Sequence, residues 1–249
     1  MNFRNRIKKS SSGKSKIILA NDIDNKSVEK LESITIKNIN ILNEFLCAIK
    51  FNFHLILPLG IKNIRKINKI AHDVGLQTIA DIKLNDIGNT NMIAAERLWE
   101  SGFDAMIVNP IMGPENLEAL VSSAHKSNHG IISLVHMSHP GAKLGYGISI
   151  KNIESKKQSK LHELFLEWSL SSRTDGIVVG ATVPEIIKTC HKKTKGNCEI
   201  YSPGVGVQGG DPKKAMSSGA NYLIVGRTIF NAKDPVKESK KLKELSIEY

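Results

Sequence analysis

The sequence predicts an α/β protein, a (β/α)8 TIM barrel formed as a single domain over residues 1–249, with 1–16 as a basic N-terminal segment. Three observations carry that prediction. Eight short apolar runs, several rich in Ile and Val, recur along the chain. They are near-continuously apolar rather than alternating, as strands covered on both faces are. Helical patterns fill most of the gaps between them, and eight such units in about 250 residues is the size of this barrel, whereas a doubly wound open sheet has no need of eight.

The elements follow in order. IILANDI (17–23) is the first predicted strand, and VEKLESITIKNINILNEF (28–45) is the helix after it. LCAIKF (46–51) leads to IKNIRKINKIAHDVG (61–75), a helix that stops on Gly75. QTIADIKL (77–84) leads to NTNMIAAERLWESG (89–102), which stops on Gly102, and AMIVNP (105–110) leads to PENLEALVSSAHKS (114–127), opened by Pro114. IISLVHM (131–137) precedes GAKLGYGISIKNIESKKQSK (141–160), a Gly-containing, Lys-rich stretch that reads as an extended loop on the functional face or as a tolerated insertion. GIVVGAT (176–182), EIYSPGVG (199–206) and YLIVGRT (222–228) complete the set, and Asp211-Pro212 suits the N-cap and first position of a helix.

Composition narrows the function. With 41% hydrophobic residues the chain can bury a full core, yet no apolar run reaches the ~20 residues of a membrane span. The start, MNFRNRIKKSSSGKSK, lacks the apolar stretch and cleavage site of a signal peptide, so a cytoplasmic protein with no membrane partner is expected. Cys47, Cys190 and Cys198 are odd in number and widely spaced, which speaks against a disulfide framework and a zinc site. The formal charge of +11 is spread along the chain and aromatics are only 5%, so no nucleic-acid platform is expected. A basic surface around a site for a small anion is the reading that remains.

The stretch TIADIKLNDIGNTN (78–91) places Asp81, Lys83 and Asp86 where an apolar strand ends. Asp81 and Lys83 are two apart and so leave one face of a strand. Lys50 ends the second predicted strand and Asp22 the first. Ion pairs tying strand ends together would explain any one pair, but four charges at the C-terminal rim of a barrel point to a site. A second constellation follows the seventh and eighth predicted strands, SPGVGVQGGD and GRT, where this fold usually binds phosphate. Its glycines expose backbone N–H groups, Arg227 can grip phosphate bidentately, Gln208 can donate an amide hydrogen bond, and Gly209-Gly210 allows lid motion. A phosphomonoester ligand is expected.

Taken together, LANDI, the Lys ending strand two, ADIKLNDIGNTN, MSHPGA, SPGVGVQGGDP and IVGRTIF resemble the orotidine 5′-monophosphate decarboxylases, in order from Ile17 to Phe230. The resemblance implies decarboxylation of orotidine 5′-monophosphate (OMP) to UMP with no metal and no organic cofactor. It implies that Asp22 and Lys50 bind the ribose, that Lys50 also positions Asp81, and that Asp81 sits against the substrate carboxylate. Lys83 would supply the proton to C6. Asp86, Ile87 and Thr90 would enter the neighbouring subunit's site in a homodimer, Asp86 and Thr90 at its ribose. Ser138 would bond the pyrimidine, Pro203 would lie near it, and Gln208, Gly226 and Arg227 would hold the phosphate. The family normally has Pro where this chain has Gly88, which should leave the loop into the next helix less pre-set.

The chemistry asks for such a set. Loss of CO2 from C6 of a pyrimidine leaves a carbanion that no adjacent carbonyl delocalises well, and a fixed ammonium beside it stabilises that charge. The similar metal-dependent enzymes, 3-keto-gulonate-6-phosphate decarboxylase and hexulose-phosphate synthase, hold Mg2+ with an acidic residue at the end of strand two, where Lys50 would repel the ion. A barrel that only binds phosphate ligands or nucleic acid has no use for Asp81 and Lys83. His136 and His139 flank Ser138 and are read as supporting hydrogen-bonders, because the scheme already has its acid.

Overall fold

The computed structural model describes residues 1–151 and 158–249. Its strands, in chain order, are β1 (Ile17–Ala20), β2 (Ala48–Asn52), β3 (Gln77–Leu84), β4 (Ala105–Val108), β5 (Gly130–His136), β6 (Ser149–Lys151), β7 (Gln158–Lys160), β8 (Gly176–Val179), β9 (Glu199–Pro203) and β10 (Tyr222–Val225). All but β6 and β7 close into a parallel barrel in the order β1, β10, β9, β8, β5, β4, β3, β2. The predicted barrel is therefore the observed one. Each barrel strand coincides with one of the apolar runs, but most are shorter at the C-terminal end, where the run leaves the hydrogen-bonded ladder and becomes the rim.

The helices are α1 (Phe3–Ser11), α2 (Val28–Leu42), α3 (Phe53–Asp73), α4 (Gly88–Glu100), α5 (Pro114–Lys126), α6 (Ala142–Gly145), α7 (Leu161–Ser171), α8 (Pro184–Thr194), α9 (Pro212–Ser217), α10 (Arg227–Phe230) and α11 (Pro235–Ile247). Their starts follow local chemistry. Ser27, Asp211 and Asp234 each accept a hydrogen bond from a backbone N–H in the first turn, and proline opens α5, α8, α9 and α11. Two apolar layers result. Leu19, Ile49, Phe51 and Met106 face outward onto the helices, while Ile18, Ala48, Ile79, Ile107 and Leu134 fill the barrel. Both faces of each strand are thus covered, which is the physical reason its sequence does not alternate.

Three stretches depart from expectation. The N-terminal segment is not merely a basic tail, because α1 closes the N-terminal mouth of the barrel. Phe3 and Ile7, one turn apart, are wholly buried in the inner layer, and a Cβ on Gly130 would meet the Phe3 ring at 2.2 Å. Its basic residues seat on acids of the rim, with Arg4 and Lys8 at 3.2 and 2.8 Å from Glu199 and Arg6 at 3.1 Å from Asp104.

The second departure is α3, which begins at Phe53 rather than Ile61 and is broken at Gly60 (φ 66°, ψ 168°). A left-handed glycine between two apolar segments hides the first of them from a periodicity reading. Third, the stretch 141–160 holds the short helix α6 and an antiparallel pair, β6 with β7, rather than an extended loop; 152–157 lie outside the described residues. Among the described residues no helix is long and apolar enough to cross a membrane.

Candidate active site

The C-terminal ends of β1, β2 and β3 gather the four predicted charges. Lys83 Nζ donates to Asp81 Oδ1 at 2.7 Å, Lys50 Nζ donates to Asp81 Oδ2 at 2.9 Å, and Asp22 Oδ1 lies 3.5 Å from Lys50 Nζ. Simple strand alternation does not produce this. The register of β3 on β4 shifts between Asp81 and Leu84, and Lys83 takes a left-handed backbone, φ 49°. The bulge re-aims the side chain back toward Asp81. On the other side, Asn21 is buried and tied by its side chain to Thr35 and Asn38, both at 3.0 Å, which fixes the chain just before Asp22.

Burial alone would push the Asp81 carboxyl up. Lys50 and Lys83, each attracting the carboxylate and donating to it, outweigh that and hold it below the usual carboxylate value. The carboxylate is thus kept charged where its side chain is only 10% exposed.

These residues open into a cavity of about 260 Å³ whose other wall is the loop after β9. Ser138 Oγ donates to Gln208 Oε1 at 2.7 Å across the mouth. A Cβ at Gly204 would stand 2.4 Å from the Ser138 Cβ, so only glycine lets the two segments meet. Thr228 pins the loop by donating to the Val205 carbonyl at 2.8 Å. Pro203, Gly226 and Arg227 also line the cavity, with Arg227 exposed at its edge. Nine of the twelve predicted site residues therefore surround one space: Asp22, Lys50, Asp81, Lys83, Ser138, Pro203, Gln208, Gly226 and Arg227.

Asp86, Ile87 and Thr90 do not. All three are exposed and stand off the cavity, Asp86 and Ile87 on the turn into α4 and Thr90 in its first turn, with Ile87 67% exposed. Gly88 has φ 43°, a conformation closed to proline, and its N–H donates to Asn116 Oδ1 at 3.0 Å. The loop expected to be less pre-set is held by that bond, which a proline could not make. His139 lines the cavity, but His136, the last residue of β5, is buried with its ring beside Tyr146 and His162, centroids 5.5 and 5.6 Å away. Burial lowers its pKa and so favours the neutral form of this packed imidazole.

Sequence reasoning missed Asn52, which lines the cavity and accepts a hydrogen bond from Lys50 Nζ. Its one signal was its position, two residues past Lys50 on the same strand face. It also left out the apolar floor, Ile107, Leu134, Val178 and Ile224, which the alternation of β4, β5, β8 and β10 could have supplied. Among the described residues no group of three or more His, Cys, Asp or Glu side chains could hold a metal ion, and the three cysteines are buried and free.

Fold and site define a (β/α)8-barrel protein with a charged Lys-Asp-Lys cluster facing a glycine-rich loop across the cavity at its C-terminal mouth. The model of the orotidine 5′-phosphate decarboxylase / HUMPS family matches residues 15–242, and the chain belongs to that family. It is 35% identical over 199 residues to the orotidine 5′-phosphate decarboxylase of Pyrococcus abyssi, covering 80% of this chain and 86% of that one. The corresponding protein of Methanococcoides burtonii is 28% identical over 229 residues, 92% of this chain and 96% of that one. Among solved structures, the Pyrococcus horikoshii enzyme superimposes with a TM-score of 0.74 at 33% identity, over 93% of this chain and 99% of that one. The Methanocaldococcus jannaschii enzyme in complex with the inhibitor BMP gives 0.75 at 28% identity, over 93% and 98%.

Proposed function

We propose that this chain is a carbon-carbon lyase that converts OMP to UMP and CO2 in de novo pyrimidine biosynthesis. The observation that carries this reading is the Asp81 carboxylate held between Lys50 and Lys83 at one end of a cavity whose other end is lined by Gln208 and Arg227. Family membership supports the same reaction. Arg227, Gln208 and the backbone at Gly226 bind the phosphate, Asp22 and Lys50 the ribose, and Ser138 the pyrimidine beside Pro203.

The reacting end then works by charge. The substrate carboxylate lies against Asp81, a like-charge contact that eases as CO2 departs, and strain of this kind is credited with ~1–5 kcal/mol. That is small beside the ~8–23 kcal/mol enzymes supply, so preorganised charge and phosphate binding energy provide most of the effect. The C6–carboxylate bond breaks and its electron pair stays on C6. Lys83 gives that carbon its proton, and the resulting amine recovers one from solvent. No metal or organic cofactor takes part in this scheme.

The active form is a homodimer with shared sites. Asp86, Ile87 and Thr90 are turned outward, away from their own cavity, as residues that serve a neighbour's site must be. Exposed Phe53, Leu57, Ile61, Ile87, Ile93 and Ile111, carried by successive units of the barrel, supply an apolar surface for the second copy to cover. Residues 1–249 serve as one barrel domain, and the enzyme works in the cytoplasm without nucleic-acid or membrane partners.

The deciding experiment is the absorbance change on OMP loss, run with purified protein with and without EDTA. Turnover unchanged by the chelator is expected. Activity abolished by EDTA and restored by Mg2+ would mean that the metal-free scheme is wrong.

A further inference from the structure

We infer that Asn52 is a positioning residue that holds the Lys50 ammonium in place, a role that rests on the function proposed above. Asn52 ends β2 and lies in register opposite Asp81 of β3. It also occupies the N-cap of α3, where an Asn side chain ordinarily accepts a hydrogen bond from the first turn. It makes no such bond. Its Oδ1 is turned instead to accept from Lys50 Nζ.

An ammonium has three N–H donors. Around Lys50, Asp81 Oδ2 accepts one at 2.9 Å and Asn52 Oδ1 another, while Asp22 Oδ1 lies 3.5 Å away as an ion-pair partner. The Lys50 side chain is 5% exposed, so water has little access to replace a lost acceptor. Without Asn52 the ammonium is free to shift between two carboxylates with different tasks. The Asp81 partner that has to stay fixed would then move with it. Of these three partners, Asn52 alone is neutral. A carboxylate at the same place would add negative charge across the strand pair from Asp81, where the substrate already brings its own. An amide supplies the acceptor without that charge, and because only its oxygen can face an ammonium, its NH2 group is turned away from Lys50.

The test compares wild type, Asn52→Ala and Asn52→Asp by two readings. One is the 15Nζ ammonium signal of Lys50, assigned by its absence in Lys50→Met. The other is kcat/KM on OMP, with melting temperature as a check on folding. Slow proton exchange of the Lys50 ammonium is expected in wild type and in Asn52→Asp, which keeps the acceptor, and at least about tenfold faster exchange in Asn52→Ala. Turnover of OMP should fall about 10- to 100-fold in Asn52→Ala, the usual effect of losing a hydrogen bond to a charged group. If the alanine variant does not fold, Asn52→Ser keeps an N-capping residue but is too short to reach Nζ, and gives the same pair of readings.

An unchanged Lys50 signal in Asn52→Ala overturns the inference, whether or not turnover falls, because activity would then be lost by another route. So does a faster exchange that leaves turnover within twofold of wild type. A wild-type protein inactive on OMP would strike at the proposed function instead, and is read separately from the Lys50 signal.

Discussion

Lys83 meets Asp81 at 2.7 Å from a left-handed backbone position inside a strand. A lysine at φ 49° costs conformational energy that an unstrained strand would not, and such residues persist where the surroundings over-determine them. Here they do so at the centre of the charged cluster.

Lys83→Gly relieves that backbone constraint and removes the ammonium together. We expect it to abolish turnover and, because glycine relieves the left-handed backbone, to lower the melting temperature less than Lys83→Ala, which loses the same ion pair with Asp81. Thermal melts beside OMP assays of the same preparations check this, and a fall at least as large as that of Lys83→Ala would mean that position 83 carries no relievable strain.

The pH dependence of stability follows from Asp81. Its carboxyl is held below the usual value, so it contributes stability that is fully present above about pH 3.9 and is lost as pH falls through the lower native value. The melting-temperature gap between wild type and Asp81→Asn should therefore be widest near neutral pH and narrow below about pH 3.9. A gap constant down to strong acid would mean that the carboxylate is not stabilised by its lysines.

Arg227→Ala should weaken UMP binding far more than uridine binding, since a charge-assisted bond to a dianion is lost. Calorimetry with both ligands checks this, and equal losses would place Arg227 away from the phosphate.

Much of this was legible in the chain. The eight apolar runs mark the barrel because both faces of each strand are buried, and nine predicted residues share a cavity because strand ends in a barrel converge. What escaped has physical causes. Phe3 and Ile7 are the two apolar residues of α1, too few for a periodic signal, yet they plug the barrel. Gly60 interrupts α3 and hid its first turns. The β3 bulge is invisible to an alternation rule, which placed Lys83 correctly for an incomplete reason. Asn52 drew no notice because its helix was expected only from Ile61, yet it stands at the N-cap of α3 and spends its side chain on Lys50.

The plug gives a prediction of its own. Phe3→Ala should cost about 3–5 kcal/mol in a urea unfolding experiment, the usual range for emptying a buried aromatic site. A loss under about 1 kcal/mol, near the centre of the distribution for point mutants, would mean that α1 is not part of the cooperative core.

The shared site is tested by mixing Lys83→Ala with Asp86→Ala, each expected to be nearly inactive, under conditions that exchange subunits. In a two-fold dimer each mixed pair regains one site and loses the other, so activity should recover to about a quarter of wild type. A mixture exchanged by mass yet no more active than its parts would mean that Asp86 serves its own chain.

The central claim is that this cluster decarboxylates OMP with Lys83 as the proton donor. Its most direct measurement is release of labelled CO2 from carboxyl-labelled OMP by wild type and by Lys83→Ala, with UMP formation followed in the same tubes. The account predicts one CO2 per UMP from wild type and a rate at least about 100-fold lower from Lys83→Ala, the lower bound for a positioned general acid. No release by wild type, or release by Lys83→Ala at the wild-type rate, would contradict it.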